Sequence, residues 1–429
     1  MPDSPRLLWL ASTLLPAMAK RVNAPHAMAG PWIARLLEEV RAHLDCEVCC
    51  AAPFAVPERV DFCEDGVRYV ILPRKRRWHY WNYSWDGLVD AARLIDDFQP
   101  SIVHVHGSEH CLGLSHRRSA WDGPTIVSLQ GILSAYAPHA LGGIDMWDAL
   151  RSEHPVDLCR MSGVMGVRHA WRKGARVERD VLLAHTHFIG HNEWDKFQLR
   201  GVNPLSVYHR VGDPIRREFA DVAWNPSSRM AYRVFFGNLA GAHKGGHTIL
   251  RALCILARDY PDVHFRVAGR LGTKRGYGRM FLNEAVRLGV SERVQFLGFL
   301  DAATMAQELA GAHVFVSASH IDNNPNSVGE AQTVGTPIVG SYVGGVPEML
   351  DEGRAGLLFP AGDAEVLAAR VAQVFSDGEL AASLSAAGRK QAGKRHDPRS
   401  ILDDLIEAYA AAGCSVRRRT IESVAPERF

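Results

Sequence analysis

The sequence predicts an α/β protein built from two Rossmann-like, doubly wound parallel-sheet domains. Three observations carry that prediction. Short apolar runs alternate with helical stripes along the chain, the pattern of parallel strands covered on both faces. The alternation breaks once, at Trp224-Asn-Pro-Ser-Ser228, where turn-forming residues cluster as in a linker. It then restarts near Ala231. A chain of 429 residues is long enough for two or three such domains.

In the first half, residues 7–11, 47–51, 67–72, 101–105, 125–129, 181–184 and 205–209 read as strands. Ile33, Leu36, Leu37 and Val40 form one helical stripe, and residues 88–98 form another. The apolar stretch 7–15 follows Arg6, as a secretory leader would. Pro16 and Lys20 interrupt it and no small-residue cleavage site follows, so it reads as a buried first strand. In the second half, strands are expected at 232–236, 264–268, 294–296, 314–317 and 337–340. Helices are expected at 246–258, 280–288, 304–310, 328–334, 364–375, 380–391 and 398–412, with a loose tail from Val416 onward. The domains expected are therefore 1–224 and 229–395, with 396–412 a terminal helix that packs back on the first.

Composition narrows the function. The formal net charge is +2, which argues against nucleic acid as the main partner. No apolar run has the roughly 18 residues of a membrane span. The eight cysteines include no second CxxC pair to complete a zinc site. Free thiols in apolar stretches fit a reducing, cytoplasmic compartment.

Ligands of open α/β sheets bind outside the carboxyl ends of the strands. The most informative such segment is Ser317-Ala-Ser-His-Ile-Asp322-Asn323-Asn324-Pro-Asn326-Ser327-Val-Gly-Glu330. It runs from a predicted strand into a predicted helix, whose free amide groups suit an anion. Asp322 and Glu330 could each accept hydrogen bonds from sugar hydroxyls. Equally, Ser327 and Glu330 have capping-box spacing, and Asp322 could close an Asx-turn.

Continued through Ala331, Gly335-Thr-Pro337-Ile-Val and Gly344-Gly345-Val-Pro-Glu348, this segment resembles the family-4 retaining glycosyltransferases of the GT-B fold. Their signature has two acids eight positions apart, then Glu-Ala, Gly-x-Pro and Gly-Gly-x-x-Glu. The Asn-x-Pro-Asn-Ser form is similar to a bacterial subgroup that builds surface polysaccharides. The resemblance implies two domains facing across a cleft and transfer of a sugar from a UDP- or GDP-linked donor with retention, without a metal or other cofactor. It implies that Asp322 touches the donor sugar and Glu330 the ribose, with Asn323, Asn324, Asn326, Ser327, Gly344, Gly345 and Glu348 around the donor. The first acid departs from the family, which usually has Glu.

Phe236-Gly-Asn238-Leu-Ala-Gly-Ala-His-Lys244-Gly245 resembles the family's basic site, where a lysine neutralises diphosphate oxygens. Asn238 stands where an arginine is usual. Arg270, Lys274 and Arg275, in a loop at the next strand end, are candidates for the missing charge, or a solvated loop. No GxxxxGK[ST] is present, which excludes a Walker-type site.

The first domain should take the acceptor, a glycan, a lipid-linked sugar or a small molecule. Gly30-Pro-Trp32 opens a helix there, and His104-Val-His106-Gly107-Ser-Glu109-His110 ends a strand. No nearby carboxylate completes a clear metal site with the histidines, which read as structural or substrate-lining. Gln130-Gly131 follows another strand, with Gln130 where relatives carry histidine. His191, in Gly190-His-Asn-Glu-Trp194-Asp195, replaces the subgroup's arginine. Residues 74–83, from Arg74 to Tyr83, mix cations with aromatics. They read either as a solvated loop with its rings packed inward or as peripheral contact with the inner membrane face. Rival readings are a nucleotide-sugar epimerase or other enzyme on the same architecture, or a catalytically impaired nucleotide-sugar-binding protein.

Overall fold

A computed structural model describes residues 4–24, 30–74, 85–161, 163–269 and 276–419. The first domain contains β1 (Arg6–Ala11), β2 (Leu44–Asp45), β3 (Glu47–Phe54), β4 (Val60–Glu64), β5 (Val67–Pro73), β6 (Ile102–His106), β7 (Thr125–Ser128), β8 (His187–Gly190) and β9 (Val207–Arg210). The second contains β10 (Arg233–Phe236), β11 (His264–Ala268), β12 (Val294–Gly298), β13 (Val314–Ser317), β14 (Ile338–Ser341) and β15 (Leu357–Phe359), and β16 (Arg417–Arg418) follows near the end.

The first sheet runs β4-β5-β3-β1-β6-β7-β8-β9, and the second β12-β11-β10-β13-β14-β15. Within these two sheets all pairings are parallel except β4 with β5. β1 shows why its sequence is a continuous apolar run. Leu7, Trp9 and Ala11 pack into one core cluster and Leu8 and Leu10 into another on the opposite face. Replacing Leu8 by Ala would cost about 2–5 kcal/mol. In the second domain Phe235, Phe265, Phe281 and Phe315 are fully buried in one cluster.

The sheets reverse their strand order on either side of β1 and of β10, and each reversal opens a crevice at the strands' carboxyl ends. The loops that carry Lys244 and Asp322 leave β10 and β13, which are neighbours at the second reversal. The helix Pro398–Ala411 returns to the first domain, where Tyr409 is buried and bonded to Trp9 and His104.

Several expectations are corrected. Residues 181–184 are the last turn of a long helix, Val164–Ala184, and the strand is β8. A short apolar run has no periodicity to separate strand from helix. β4 went unrecognised although Asp65-Gly66, both at positive φ, turns it back onto β5. The tail is not loose throughout: β16 pairs antiparallel with β2. Ser327 does not cap its helix, which spans Asn326–Val334 with Pro325 at the N-cap and no side-chain cap bond.

Candidate functional site

On the second-domain side, β10 ends at Phe236 and the chain crosses to a single turn, Ala242–Lys244, before the helix Gly246–Leu256. Gly245 makes that sharp entry at φ +73°, and a Cβ there would run into the Ala318 carbonyl. The turn aims Lys244 across to the β13 loop. Its Nζ lies 2.7 Å from Asp322 Oδ2, which also accepts from Ser319 Oγ at 2.9 Å. Asp322 is buried.

Glu330, in the following helix, is also buried, and Arg216 donates to its Oε1 at 2.6 Å. Burial pushes the Glu330 carboxyl above its usual range and Arg216 opposes that. The start of this helix faces β10: a Cβ on Gly237 would sit 3.5 Å from that of Ser327. Gly344 and Gly345 back onto the Asp322 and Asn323 carbonyls, where side chains would not fit, and the Gly345 amide donates to Asp322 O at 3.2 Å. Asn238 is exposed beside Gly269. Arg270, Lys274 and Arg275 lie outside the described residues, as do residues 75–84 of the basic-aromatic stretch.

The β13 loop is held by the first domain. The Asn323 amide donates to Tyr136 OH at 2.6 Å, and its side chain to Asp195 Oδ2 at 3.2 Å. Asn192 Nδ2 donates to Asn323 Oδ1 at 2.9 Å and to its carbonyl at 3.1 Å. Asn324 bonds Asp213 at 3.0 Å and accepts from Arg395. Glu348 faces the same way: it pairs with Arg210 and accepts from the Glu193 amide at 2.9 Å. Asn323, Asn324 and Glu348, expected around the donor, therefore clasp the two domains.

On the first-domain side, Trp32, His106, Gln130 and His191 line one narrow recess with His104, Ser128 and Asp213. It adjoins a cavity of about 380 Å³ that shares His191, Gly212 and Asp213 and extends to Arg210, Arg395 and His396. Gly30 starts its helix at φ +101°, with Thr13 against it. His106 stacks on His104 at 3.9 Å, and burial lowers its pKa to about 3, so it is neutral. His104 bonds Tyr409 OH and Ser128 Oγ, which makes it structural. Glu109 Oε1 accepts from Ser12 at 3.3 Å, and burial raises its carboxyl. His106 Nε2, Glu109 Oε2 and Gln130 Nε2 have no partner among the described residues. Gly131 lies against the Tyr136 ring. Among the described residues no group of three or more His, Cys, Asp or Glu is placed to hold a metal ion.

Sequence reasoning missed Tyr136, Asp213 and Arg216 as members of the site, and gave no role to Asn192 or Ser319 within the segments it singled out. Arg216 has no motif around it, and Tyr136 sits in a single helical turn, Leu133–Tyr136. Only the folded arrangement brings them to the loop.

Two parallel-sheet domains of this topology, meeting at their carboxyl edges, define the GT-B fold. The chain has that fold over nearly its whole length. It is similar to a sucrose-phosphate synthase from Thermosynechococcus elongatus (TM-score 0.72, 16% identity, 95% of this chain and 98% of that one). It is also similar to Anabaena Alr3699/HepE in complex with UDP-glucose (TM-score 0.68, 14% identity, 95% and 99%). Residues 231–377 match the family model for glycosyl transferases group 1. Among curated proteins, a D-inositol 3-phosphate glycosyltransferase of Saccharomonospora viridis is 30% identical over 237 residues, 51% of this chain and 55% of that protein. A glycogen synthase of Mycobacterium tuberculosis is 28% identical over 212 residues, 49% and 50%. The chain spans about half the length of the curated relatives it matches. No helix among the described residues is long and apolar enough to cross a membrane.

Proposed function

We propose that the protein is a retaining glycosyltransferase of the family-4 type that moves a sugar from a nucleotide-diphosphate sugar to an acceptor held by the first domain. The observation that carries this reading is the Lys244–Asp322 pair at the carboxyl ends of β10 and β13, beside the start of the helix Asn326–Val334. An incoming diphosphate would draw the Lys244 ammonium from Asp322 and place oxygens on the free amides of that helix. Asp322, released, would accept hydroxyls of the donor sugar, and Glu330 those of the ribose.

The leaving diphosphate gains charge as the glycosidic bond breaks, and a positioned cation and peptide dipoles favour that state over the ground state. Gln130 lacks the chemistry of a base. The acceptor hydroxyl would instead lose its proton to the departing phosphate on the same face of the sugar, which gives retention. Lys244 and the helix amides would do the work of a metal ion. The structural relative that holds UDP-glucose supports a UDP-linked donor, with a GDP-linked one the alternative. The recess on the acceptor side is lined mainly by neutral polar groups, with Asp213 among them, which suits a glycan and is in line with polysaccharide or glycoconjugate synthesis.

A thermal-shift panel of nucleotide sugars tests this. A donor at about 100 times its Kd should stabilise the fold by about 2.7 kcal/mol. Lys244→Ala should lose most of that shift. A donor that stabilises both proteins equally would remove the proposed role of the lysine.

A further inference from the structure

The first domain carries an exposed face that the cleft does not use. It is built from the helices Met146–Ser152, Pro155–Arg160 and Val164–Ala184. Five large apolar side chains stand in solvent there: Met146, Trp147, Leu158, Met161 and Val167, with Trp147 70% exposed. The longest helix buries Val177, Val181 and Leu182 against the first domain. Its other face carries Arg168, Arg172, Arg176 and Arg179, spaced so that they form one stripe, with Lys173 alongside. Glu178 is buried, leaving Asp180 as that helix's exposed acid. The apolar group and the stripe meet, because Arg168 NH1 contacts Met146 Sδ at 3.9 Å.

This face lies at the rim of the cleft. On the same long helix, the Trp171 ring packs against Tyr136 and His243. In the neighbouring helix, Asp157 accepts from the Gly276 amide of the second domain at 3.2 Å.

We propose that this face is a docking surface for an anionic lipid bilayer. Cations on one side of a helix, with tryptophan, methionine and leucine beside them, match the layered chemistry of a bilayer surface: anionic headgroups above an apolar medium. A nucleic acid would neutralise the arginines and offer no apolar medium to Met146, Leu158 and Met161. Docking at the cleft rim would present a membrane-borne acceptor to the recess lined by His106 and Gln130. That consequence rests on the glycosyl-transfer reading, but the docking does not.

The test is co-sedimentation of the full chain with vesicles, without donor or acceptor. Vesicles of phosphatidylcholine with phosphatidylglycerol should bind the protein, and phosphatidylcholine alone should bind it at least about tenfold less. Raising the salt should weaken binding, because the charge contribution is screened. The pair Arg172→Glu and Arg176→Glu, and separately Trp147→Glu, should each lower the bound fraction severalfold. Arg354→Glu, in the second domain, should not. Should a charge-reversed protein fold poorly, Arg172→Gln with Arg176→Gln carries the same comparison at lower cost. Equal binding to neutral and anionic vesicles, unchanged binding by the face variants, or binding to heparin but not to vesicles would each overturn the proposal. None of these outcomes touches the donor-binding test, so the two readings fail separately.

Discussion

The two walls of the cleft are built from different chemistry. The second-domain wall is made of ion pairs, Lys244 with Asp322 and Arg216 with Glu330. The first-domain wall is made mostly of neutral polar groups, His106, Gln130, Asn192 and Tyr136, with the acids Asp195 and Asp213 among them and with Glu109 and Glu178 behind, carboxyls that burial pushes up. The contrast suits the proposed reaction. A diphosphate is the same strong anion in every donor, so fixed charge can meet it. An acceptor sugar presents hydroxyls, which neutral donors and acceptors can sort by geometry without a buried unpaired charge.

The largest effect expected from that contrast is a pH dependence of stability. Burial raises the Glu178 carboxyl to about 7, although it accepts from Leu133 N, Ser134 N and Ser108 Oγ. Below pH 4.5 the folded and unfolded chains both hold this proton. Between 4.5 and 7 the unfolded chain has lost it and the folded chain has not, so this group's contribution to stability falls as pH rises. The loss is complete above 7 and amounts to about 3 kcal/mol. On the other wall His243 is lowered to about 3, and His247 and His320 to about 4, by burial. They act in the opposite sense: their contribution is full above pH 6.5 and drains as pH falls toward 4. Urea melts from pH 4.5 to 8 of the wild type and Glu178→Gln should therefore diverge, the variant's stability rising relative to the wild type by about 3 kcal/mol between 4.5 and 7. Parallel curves would show that Glu178 titrates normally and that the neutral wall is misdescribed.

The bridge between the walls comes next. Asn323 is fully buried, and its side chain bonds Asn192 and Asp195. Asn323→Ala should cost about 2–3 kcal/mol, because it leaves buried polar partners unsatisfied. It should also weaken donor binding less than Lys244→Ala does, since its bonds go to the first domain. Calorimetric melting with and without nucleotide sugar separates the two effects. A variant that melts like the wild type would mean that the walls are not held together through this loop.

The two walls also differed in how far the sequence disclosed them. The second-domain wall comes from one contiguous stretch, 317–348, plus Lys244, so local spacing could reveal it. Even there, position in the fold decided the detail. Glu348 and Asn323 turn to the other domain, and Glu330 meets an arginine from outside any motif. The first-domain wall gathers single residues from the ends of β6, β7 and β8 and from a one-turn helix. Gln130 and His191 could be singled out only as departures from a pattern, and Tyr136 not at all. The alternation of strands and helices was plain wherever runs were bounded by turns. It failed at residues 181–184, where an apolar helix end mimics a strand.

The smallest effect expected concerns how the terminal helix supports the neutral wall. Tyr409 is fully buried, accepts from Trp9 Nε1 at 3.1 Å, and lies 2.8 Å from His104 Nδ1. His104 bonds Ser128 with its other nitrogen and stacks on His106, so the hydroxyl fixes the ring that backs the recess. Tyr409→Phe keeps the ring packing and removes only that oxygen. Two buried nitrogens then lose a partner, at a cost of about 1–2 kcal/mol. If the helix merely covers apolar surface, the variant should melt as the wild type does, and nothing at His106 should change. If the hydroxyl orients the His104–His106 stack, the melt should fall and the imidazole resonances of both histidines should shift, while nucleotide-sugar binding by the second domain stays as it was.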